Sequence, residues 1–188
     1  MKKISVWASG NGSNAENLIN CFQNHSEIVV EHILTNNPEA GVIERAKRLN
    51  IPCFVLSRAA FRDGSEVLNL LSNVQFVVLS GFLQLVPANV VQAFPNAIIN
   101  IHPALLPNFG GKGMFGHHVH EAAIAAGVSE SGITIHLVDE VYDNGKILLQ
   151  KTCPVLPGDT PDTLAARVHE LEYEWFPVAV ENYILKSR

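Results

Sequence analysis

The chain has 188 residues, of which 47% are hydrophobic and 16% are charged, and its formal net charge is −5. This length supports one sizeable hydrophobic core and is short for two, so we expect residues 1–188 to form a single domain. No run of lysine or arginine occurs in the sequence, which leaves little from which a nucleic-acid or anionic-membrane surface could be built. The composition therefore favours small-molecule partners, with no nucleic acid and no membrane among them.

The cysteines and the amino terminus bear on the cellular compartment. Cys21, Cys53 and Cys153 are odd in number and lie far apart, which argues against a disulfide framework or a zinc ribbon. Met1 and two lysines lead directly into a strand-like run, without the apolar core of a signal peptide. No apolar stretch is long enough to span a membrane. We therefore predict reduced, buried thiols and a cytoplasmic location.

The first motif is a strand, a glycine turn and a helix. Residues 4–8 are an apolar run, residues 9–14 read Ser-Gly-Asn-Gly-Ser-Asn, and apolar residues at helical spacing follow. Backbone N–H groups at Gly12, Ser13 and Asn14, with a helix dipole of roughly half a charge, suit a phosphate without a lysine. The turn lacks the Walker lysine and the third glycine of the dinucleotide fingerprint. A phosphate site is the favoured interpretation, and a plain strand-to-helix turn is the alternative.

Strands and helices alternate through the amino-terminal half. Apolar runs predict strands at residues 4–8, 27–34, 52–56, 76–79 and 97–99, and helical spacing predicts helices that include residues 15–22, 40–49 and 65–71. Unbroken apolar strands joined by helices are typical of a parallel sheet that is covered on both faces. We therefore predict an α/β fold with a doubly wound, mostly parallel, Rossmann-like sheet.

Two polar side chains stand where a buried strand ends. Asn100 and His102 follow an apolar run and are two residues apart, so in an extended chain they point to the same side. Pro103 and Pro107 then prevent the strand from continuing. Open α/β sheets bind their ligands at the carboxyl ends of strands, which makes this pair a candidate site. The alternative is a loop-capping Asn100 and a satisfied core histidine.

Two loops flank this strand in the sequence. The apolar loop of residues 82–87 could wall the pocket of a flat aromatic ligand, or it could be ordinary core. Residues 108–120 are rich in glycine and contain His117, His118 and His120, so we predict a mobile loop over the site, followed by a short helix at residues 121–126. The histidine spacing matches no familiar zinc motif, and we predict no metal site.

The carboxyl-terminal part is predicted to form a hairpin and a long helix. Apolar and polar residues alternate over residues 132–138, which is typical of a half-buried strand, and residues 147–153 predict a second strand. The tight turn signal Asp143-Asn144-Gly145 between them predicts an antiparallel pair. If this hairpin pairs beside the strand of Asn100, Asp143 could reach His102. From residue 161 onward apolar residues at helical spacing predict a long amphipathic helix, and a bend at Pro177 is compatible with its sequence.

Three motifs taken in order are more specific than any one of them. Residues 9–14, the segment Asn-Ile-His-Pro-Ala-Leu-Leu-Pro at 100–107, and Asp-Glu-Val-Tyr-Asp-Asn-Gly at 139–145 resemble the phosphoribosylglycinamide formyltransferase family over essentially the whole chain. This resemblance implies formyl transfer from 10-formyltetrahydrofolate, as co-substrate, to the amine of glycinamide ribonucleotide in purine biosynthesis. It is compatible with a homodimer.

The resemblance also implies roles for particular residues. Asn100, His102 and Asp143 match the catalytic trio of the family. The substrate-binding matches are Gly12, Ser13 and Asn14 for the phosphate, and Glu172 for the ribose. The matches to the folate pocket are Leu83, Gln84, Leu85, Val86, Val138, Asp139, Glu140, Val141, Tyr142 and Asp143. Gln84 is a departure, because many members carry a basic residue there.

The implied reaction makes chemical demands that the trio can meet. Attack of an amine on a formyl carbon builds an oxyanion and a cationic amine, so the site needs a hydrogen-bond donor and a proton acceptor. Asn100 and His102 can supply donors, and Asp143 beside His102 would raise the imidazole pKa above its ordinary value near ~6.5. We therefore expect direct transfer in a ternary complex, without a covalent enzyme intermediate.

Rival functions remain open at this point. Another formyltransferase that uses formyltetrahydrofolate, or a formyltetrahydrofolate hydrolase, usually carries an additional domain, and a tRNA substrate would require a basic surface that this chain lacks. A non-catalytic nucleotide-binding module would use only the glycine turn. That reading leaves Asn100, His102 and Asp143 unexplained.

Overall fold

Strands and helices alternate along residues 1–187, which this computed structural model describes. The strands are β1 (Lys2–Trp7), β2 (Ile28–Thr35), β3 (Cys53–Val55), β4 (Phe76–Leu79), β5 (Ile98–His102), β6 (Glu130–Leu137) and β7 (Ile147–Pro154). The helices are α1 (Ser13–Phe22), α2 (Val42–Arg48), α3 (Arg58–Asp63), α4 (Ser65–Leu70), α5 (Ala88–Ala93), α6 (His117–Ala125) and α7 (Pro161–Lys186).

The strands form one sheet in the order β3-β2-β1-β4-β5-β6-β7. Strands β1 to β5 pair in parallel, whereas β6 is antiparallel to β5 and β7 is antiparallel to β6. The predicted doubly wound, mostly parallel sheet with a carboxyl-terminal antiparallel pair is therefore confirmed. The strand order reverses between β1 and β4, which is the place where open α/β sheets form a crevice for ligands.

Both faces of the sheet are covered, because the strands carry apolar residues at successive positions. On β1, Ile4 and Val6 face a layer made by α1, α2 and α7, while Trp7 faces α3, α4 and α5. All four residues of β4 are buried, as an unbroken apolar strand of a covered parallel sheet should be. Trp7 packs edge-on against Phe61 and Phe82. These contacts hold α3 and the segment that follows β4 against the sheet.

Three helices differ from the sequence prediction. Helices α3 and α5 were not predicted, since each has only six residues and shows little periodicity. The prediction that residues 108–120 are all loop is wrong at its end, because α6 begins at His117. Val119 and Ala123, four residues apart, are fully buried on one face of α6.

The connection between β6 and β7 is longer than a tight hairpin turn, running over residues 138–146. Asp143 has a φ of 52°, a left-handed conformation that Asp and Asn tolerate better than most residues. A Cβ at Gly145 would lie 1.8 Å from the carbonyl oxygen of Leu137, so only glycine fits there. The turn-forming residues predicted from the sequence are therefore present, but they belong to a broad loop that folds back over the sheet.

Two other findings concern the chain as a whole. The thiols of Cys21, Cys53 and Cys153 are free, but the prediction that all three are buried is wrong, because Cys21 is exposed and Cys53 is half-buried, whereas Cys153 is buried. No helix among residues 1–187 combines the length and the apolar character needed to cross a membrane.

Thr134 anchors the segment that follows His102. Its fully buried Oγ1 donates to the carbonyl oxygen of Ala104 at 2.7 Å and accepts from the backbone N–H of Leu106 at 2.9 Å and from Nε2 of Gln150 at 2.9 Å. Thr134 also pairs directly with His102 across β5 and β6. One hydroxyl therefore fixes the turn through Pro103 next to the end of the strand.

We expect Thr134→Val to lower the free energy of unfolding by about 2–4 kcal/mol, because the isosteric change leaves the buried N–H of Leu106 and the carbonyl of Ala104 without this partner. Chemical denaturation would measure the loss. The matched control is Thr152→Val on the exposed side of β7, which should cost little. Equal effects of the two substitutions would contradict the anchoring role.

Candidate active site

A cavity of about 750 Å³ lies where the strand order reverses between β1 and β4, and it extends over β5. Its walls come from segments that are distant in sequence. Among the residues that line it are Gly12, Ser13, Asn14, Leu83, Gln84, Leu85, Val86, Asn100, His102, His136, Val138, Asp139, Val141, Tyr142, Asp143, His169 and Glu172. The structure thus brings the predicted substrate, cofactor and catalytic sets together, with Glu140 as the exception. Glu140 instead accepts a hydrogen bond from Gln92 at 3.1 Å.

Asn100 is held by a histidine of the neighbouring strand. Asn100 and His136 face each other in the β5–β6 register, and Nδ2 of Asn100 lies 3.1 Å from Nε2 of His136. The other ring nitrogen, Nδ1, lies 2.9 Å from the carbonyl oxygen of Leu137 and must carry the proton in that contact. Nε2 of His136 therefore lies between the Asn100 amide and, at 3.6 Å, Oδ1 of Asp143.

His102 is almost fully buried at the end of β5, with 4% of its surface exposed. Its Nε2 donates to the carbonyl oxygen of Phe109 at 2.8 Å, which leaves Nδ1 of a neutral ring as a proton acceptor, 3.7 Å from Oδ2 of Asp143. Burial lowers the pKa of His102 below its ordinary value, although the charge of Asp143 opposes the shift. The expectation that Asp143 raises this pKa above its ordinary value is therefore wrong, because burial outweighs the neighbouring carboxylate.

Asp143 lies between two imidazoles. Its Oδ1 is 3.6 Å from Nε2 of His136, and its Oδ2 accepts the backbone N–H of Gly111 at 2.9 Å. Burial opposes ionisation, but His136, the charge on a protonated His102 and the Gly111 N–H outweigh it and hold the pKa of Asp143 below its usual value. The carboxylate is therefore ionised at neutral pH, and the prediction that the turn brings Asp143 to His102 is confirmed.

The glycine loop (residues 9–14) leads from β1 into α1. Gly12 has a φ of 77°, and within residues 1–187 no side chain caps the first turn of the helix that follows it. The N–H groups at this end are thus not consumed by a side-chain cap, and the loop borders the cavity. Backbone donors and the positive end of a helix dipole favour an anion at this position.

Glu172 of α7 lies against the glycine loop. Its Oε2 accepts from Nδ2 of Asn14 at 2.8 Å and lies 3.0 Å from Nδ1 of His169. The hydrogen bond to Glu172 raises the pKa of His169, which makes this imidazole the more readily charged. A carboxylate and a protonatable ring therefore lie together beside the amino-terminal end of α1.

The opposite wall of the cavity is apolar. Leu83, Leu85, Val141 and Tyr142 are 52%, 41%, 60% and 43% exposed, respectively, and all four border the cavity. Large apolar side chains that converge on a crevice are typical of a binding surface rather than of a solvated one. This wall suits a flat aromatic ring system.

Sequence reasoning missed three histidines of the site. His136 was read as part of an alternating strand, and only the β5–β6 register, which places it opposite Asn100, could have singled it out. His120 is 6% exposed and borders the cavity, and burial lowers its pKa. His169 lies three residues before Glu172, a helical spacing that does place the two side chains together.

Residues 108–120 contain three histidines, and histidine is a common metal ligand. In the part of the chain that the structure describes, residues 1–187, no three His, Cys, Asp or Glu side chains form a group that could hold a metal ion.

Comparison with known sequences identifies the family. The formyl transferase family matches residues 2–180. A phosphoribosylglycinamide formyltransferase of Bacillus subtilis is 36% identical over 191 residues, covering 98% of this chain and 95% of its own length. A chloroplastic phosphoribosylglycinamide formyltransferase of Arabidopsis thaliana is 43% identical, and the match covers 100% of this chain and 66% of the plant protein. For the relative from Vigna unguiculata the share is 60%, so the chain spans about two thirds of these plant proteins or less.

Solved structures agree with the sequence comparison. The phosphoribosylglycinamide formyltransferase of Bacillus halodurans superposes with a TM-score of 0.89 at 34% identity, covering 100% of this chain and 97% of that one. The enzyme of the same name from Streptococcus pneumoniae gives a TM-score of 0.86 at 37% identity, with 98% and 99% covered. The site residues and the whole-chain matches together place this chain in the formyl transferase family.

Proposed function

We propose that the protein transfers the formyl group of 10-formyltetrahydrofolate to the amine of glycinamide ribonucleotide. The observation that carries the proposal is the convergence of Asn100, His102 and Asp143 in one cavity, between an anion-binding helix end and an apolar wall. The names of its relatives, phosphoribosylglycinamide formyltransferases of bacteria and plants, support the same reaction.

The two walls support a separate place for each of the two substrates. The ribonucleotide is anionic, so its phosphate belongs at Gly12, Ser13 and Asn14, where backbone N–H groups and the helix dipole favour negative charge. Glu172, which borders the cavity beside Asn14, can accept hydrogen bonds from ribose hydroxyls. The folate ring belongs against residues 83–86 and 138–143. The amine and the formyl carbon then meet near Asn100 and His102.

The catalytic trio accounts for the charges that develop during transfer. As the amine nitrogen bonds to the formyl carbon, the carbonyl oxygen becomes an oxyanion, and the Asn100 amide supplies a hydrogen-bond donor. The new cationic nitrogen must lose a proton, and the free Nδ1 of neutral His102 can accept it while the Asp143 carboxylate stabilises the imidazolium. The proton then passes to the folate nitrogen as the carbon–nitrogen bond breaks. No enzyme nucleophile is required.

We further infer that residues 1–188 act as one domain on small molecules, without nucleic acid. The formal net charge of −5 and the absence of any lysine or arginine run support this. A homodimer and a cytoplasmic location stay predictions. Analytical ultracentrifugation checks the first, and fractionation of cells checks the second.

The proposed reaction is tested by a formyl-transfer assay with several acceptors. Glycinamide ribonucleotide should be formylated far faster than an amino sugar, an aminoacyl-tRNA or water. His102→Ala should lower kcat by roughly two to four decades while the affinity for each ligand changes little. His118→Ala, at an exposed histidine outside the cavity lining, is the control. Preference for another acceptor, or a His102→Ala variant within a few-fold of wild type, would refute the assignment.

The charge of Asp143 should be visible in the titration of His102. Asp143→Asn keeps the left-handed turn and removes the carboxylate that opposes the lowering of the His102 pKa, so this pKa should fall further. At the same time kcat should decrease, because the developing imidazolium loses its counter-charge. NMR titration of both proteins, with His102→Ala to assign the resonance, measures the shift. An unchanged titration with near-normal turnover would leave Asp143 only a turn residue.

Gly12→Ala should raise KM for the ribonucleotide by roughly tenfold to a hundredfold and leave folate binding nearly unchanged. An added Cβ would lie 2.5 Å from Cγ2 and 2.9 Å from Cα of Val42. The glycine loop must then move, and its N–H groups no longer point at the position of the phosphate. Gly127→Ala is the matched control, since Gly127 also has a positive φ but no atom within 4 Å of the added Cβ. Loss of folate binding with retained ribonucleotide binding would assign the loop to the other ligand.

A further inference from the structure

The 82–86 loop, which leaves β4 through Gly81, presents apolar side chains in an exposed conformation. Leu83 and Leu85 stand out into the cavity, whereas Phe82 and Val86 on either side of them are buried. Exposed leucines are stabilised by packing against other apolar groups, so an unrestrained loop would fold them inward when no ligand is present. Some interaction must therefore hold this loop open.

Few hydrogen bonds attach the loop, and the side chain of Gln84 makes most of them. In residues 1–187, the hydrogen bonds from the 82–86 loop to other parts of the chain are three: Leu83 N–H to Oγ of Ser9 at 2.9 Å, Nδ2 of Asn36 to Oε1 of Gln84 at 3.2 Å, and Nε2 of Gln84 to the carbonyl oxygen of Arg58 at 3.0 Å.

These contacts close into a ring. Ser9 Oγ, which accepts from Leu83, itself donates to Oδ1 of Asn36 at 2.7 Å, and Asn36 then donates to Gln84, the residue next to Leu83. Ser9 and Asn36 are each 8% exposed, so this part of the ring is shielded from water. Hydrogen bonds in such surroundings are costly to leave unmade. The 82–86 loop is thereby tied to the first residue of the glycine loop.

The ring requires an amide at position 84. The side chain must accept from Asn36 and donate to the Arg58 carbonyl at the same time, and an amide has both an acceptor oxygen and a donor nitrogen. Lysine and arginine have donors only, so a basic residue could meet one of these demands and not the other. These two contacts use one N–H and one oxygen lone pair of the amide, so both ends of the Gln84 side chain are held by the protein.

We propose that Gln84 is a positioning residue, which holds the 82–86 loop in its folate-binding conformation through Asn36 and the Arg58 carbonyl rather than by touching the folate. The inference rests on the proposed function, in which this loop receives the folate ring. Removing the two hydrogen bonds lets Leu83 and Leu85 leave their places, and the folate must then reorder the loop as it binds. The free energy of reordering the loop therefore weakens folate binding, whereas ribonucleotide binding and the catalytic trio are unaffected.

Gln84→Met is the variant that tests this, because it keeps the length and apolar stem of the side chain and removes both hydrogen bonds. We expect the Kd for 5-formyltetrahydrofolate, a stable formylated folate, to rise roughly three- to tenfold by calorimetry on the full chain. KM for 10-formyltetrahydrofolate should rise in parallel, while kcat and KM for the ribonucleotide stay within about twofold. Gln23→Met, at an exposed glutamine outside the cavity lining, is the matched control.

A double-mutant cycle isolates the pair. If Asn36 acts on the folate through Gln84, Asn36→Ala combined with Gln84→Met should weaken folate binding by clearly less than the product of the two single effects. Independent effects, or a Gln84→Met protein that binds the folate as the wild type does, would overturn the positioning role. A parallel loss of both substrates with a lowered Tm would overturn it too, since that reports general destabilisation. A wild-type chain that binds no folate would refute the proposed function itself.

Discussion

The site depends on one carboxylate that stays charged in a place where burial opposes charge. Asp143 remains ionised because His136, His102 and the Gly111 N–H surround it. The low polarity that depresses the pKa of His102 also strengthens its attraction to Asp143 once a proton arrives. The His102 imidazole is therefore neutral before it accepts a proton and is stabilised by Asp143 afterwards, which is the behaviour that the proposed deprotonation of the amine demands.

The topology of the sheet makes this arrangement possible. Parallel β1 and β4 deliver the glycine loop and the 82–86 loop to one edge, and the reversal of strand order opens the crevice between them. The antiparallel β6 covers the other edge of β5, and its register places His136 opposite Asn100 and Thr134 opposite His102. The strand pairing thus supplies a partner for each functional residue of β5.

The sequence predicts which residues form this site better than it predicts the contacts between them. Unbroken apolar strands predicted the sheet, and the two-residue spacing of Asn100 and His102 correctly placed both side chains at the cavity. The direction of the His102 pKa shift could not be predicted, because burial of the ring outweighs the charge of its neighbour Asp143 and the depth of burial cannot be read from the sequence. His136 escaped notice for a related reason: a histidine in an alternating strand has no local signal, and its role appears only when the register of β6 is known. Short helices such as α3 and α5 have too few turns for periodicity to reveal them.

The contact between Asn14 and Glu172 has a consequence for synthesis of the chain. The two residues are 158 positions apart, and Asn17, three residues after Asn14, donates to the carbonyl oxygen of Tyr173 on α7. The glycine loop gains its acidic partner only when α7 has been synthesised and has docked. A nascent chain that has formed β1 to β7 still lacks Glu172, the residue that we propose binds the ribose. Under the proposed function, ribonucleotide binding therefore stabilises the chain only after α7 has packed against α1.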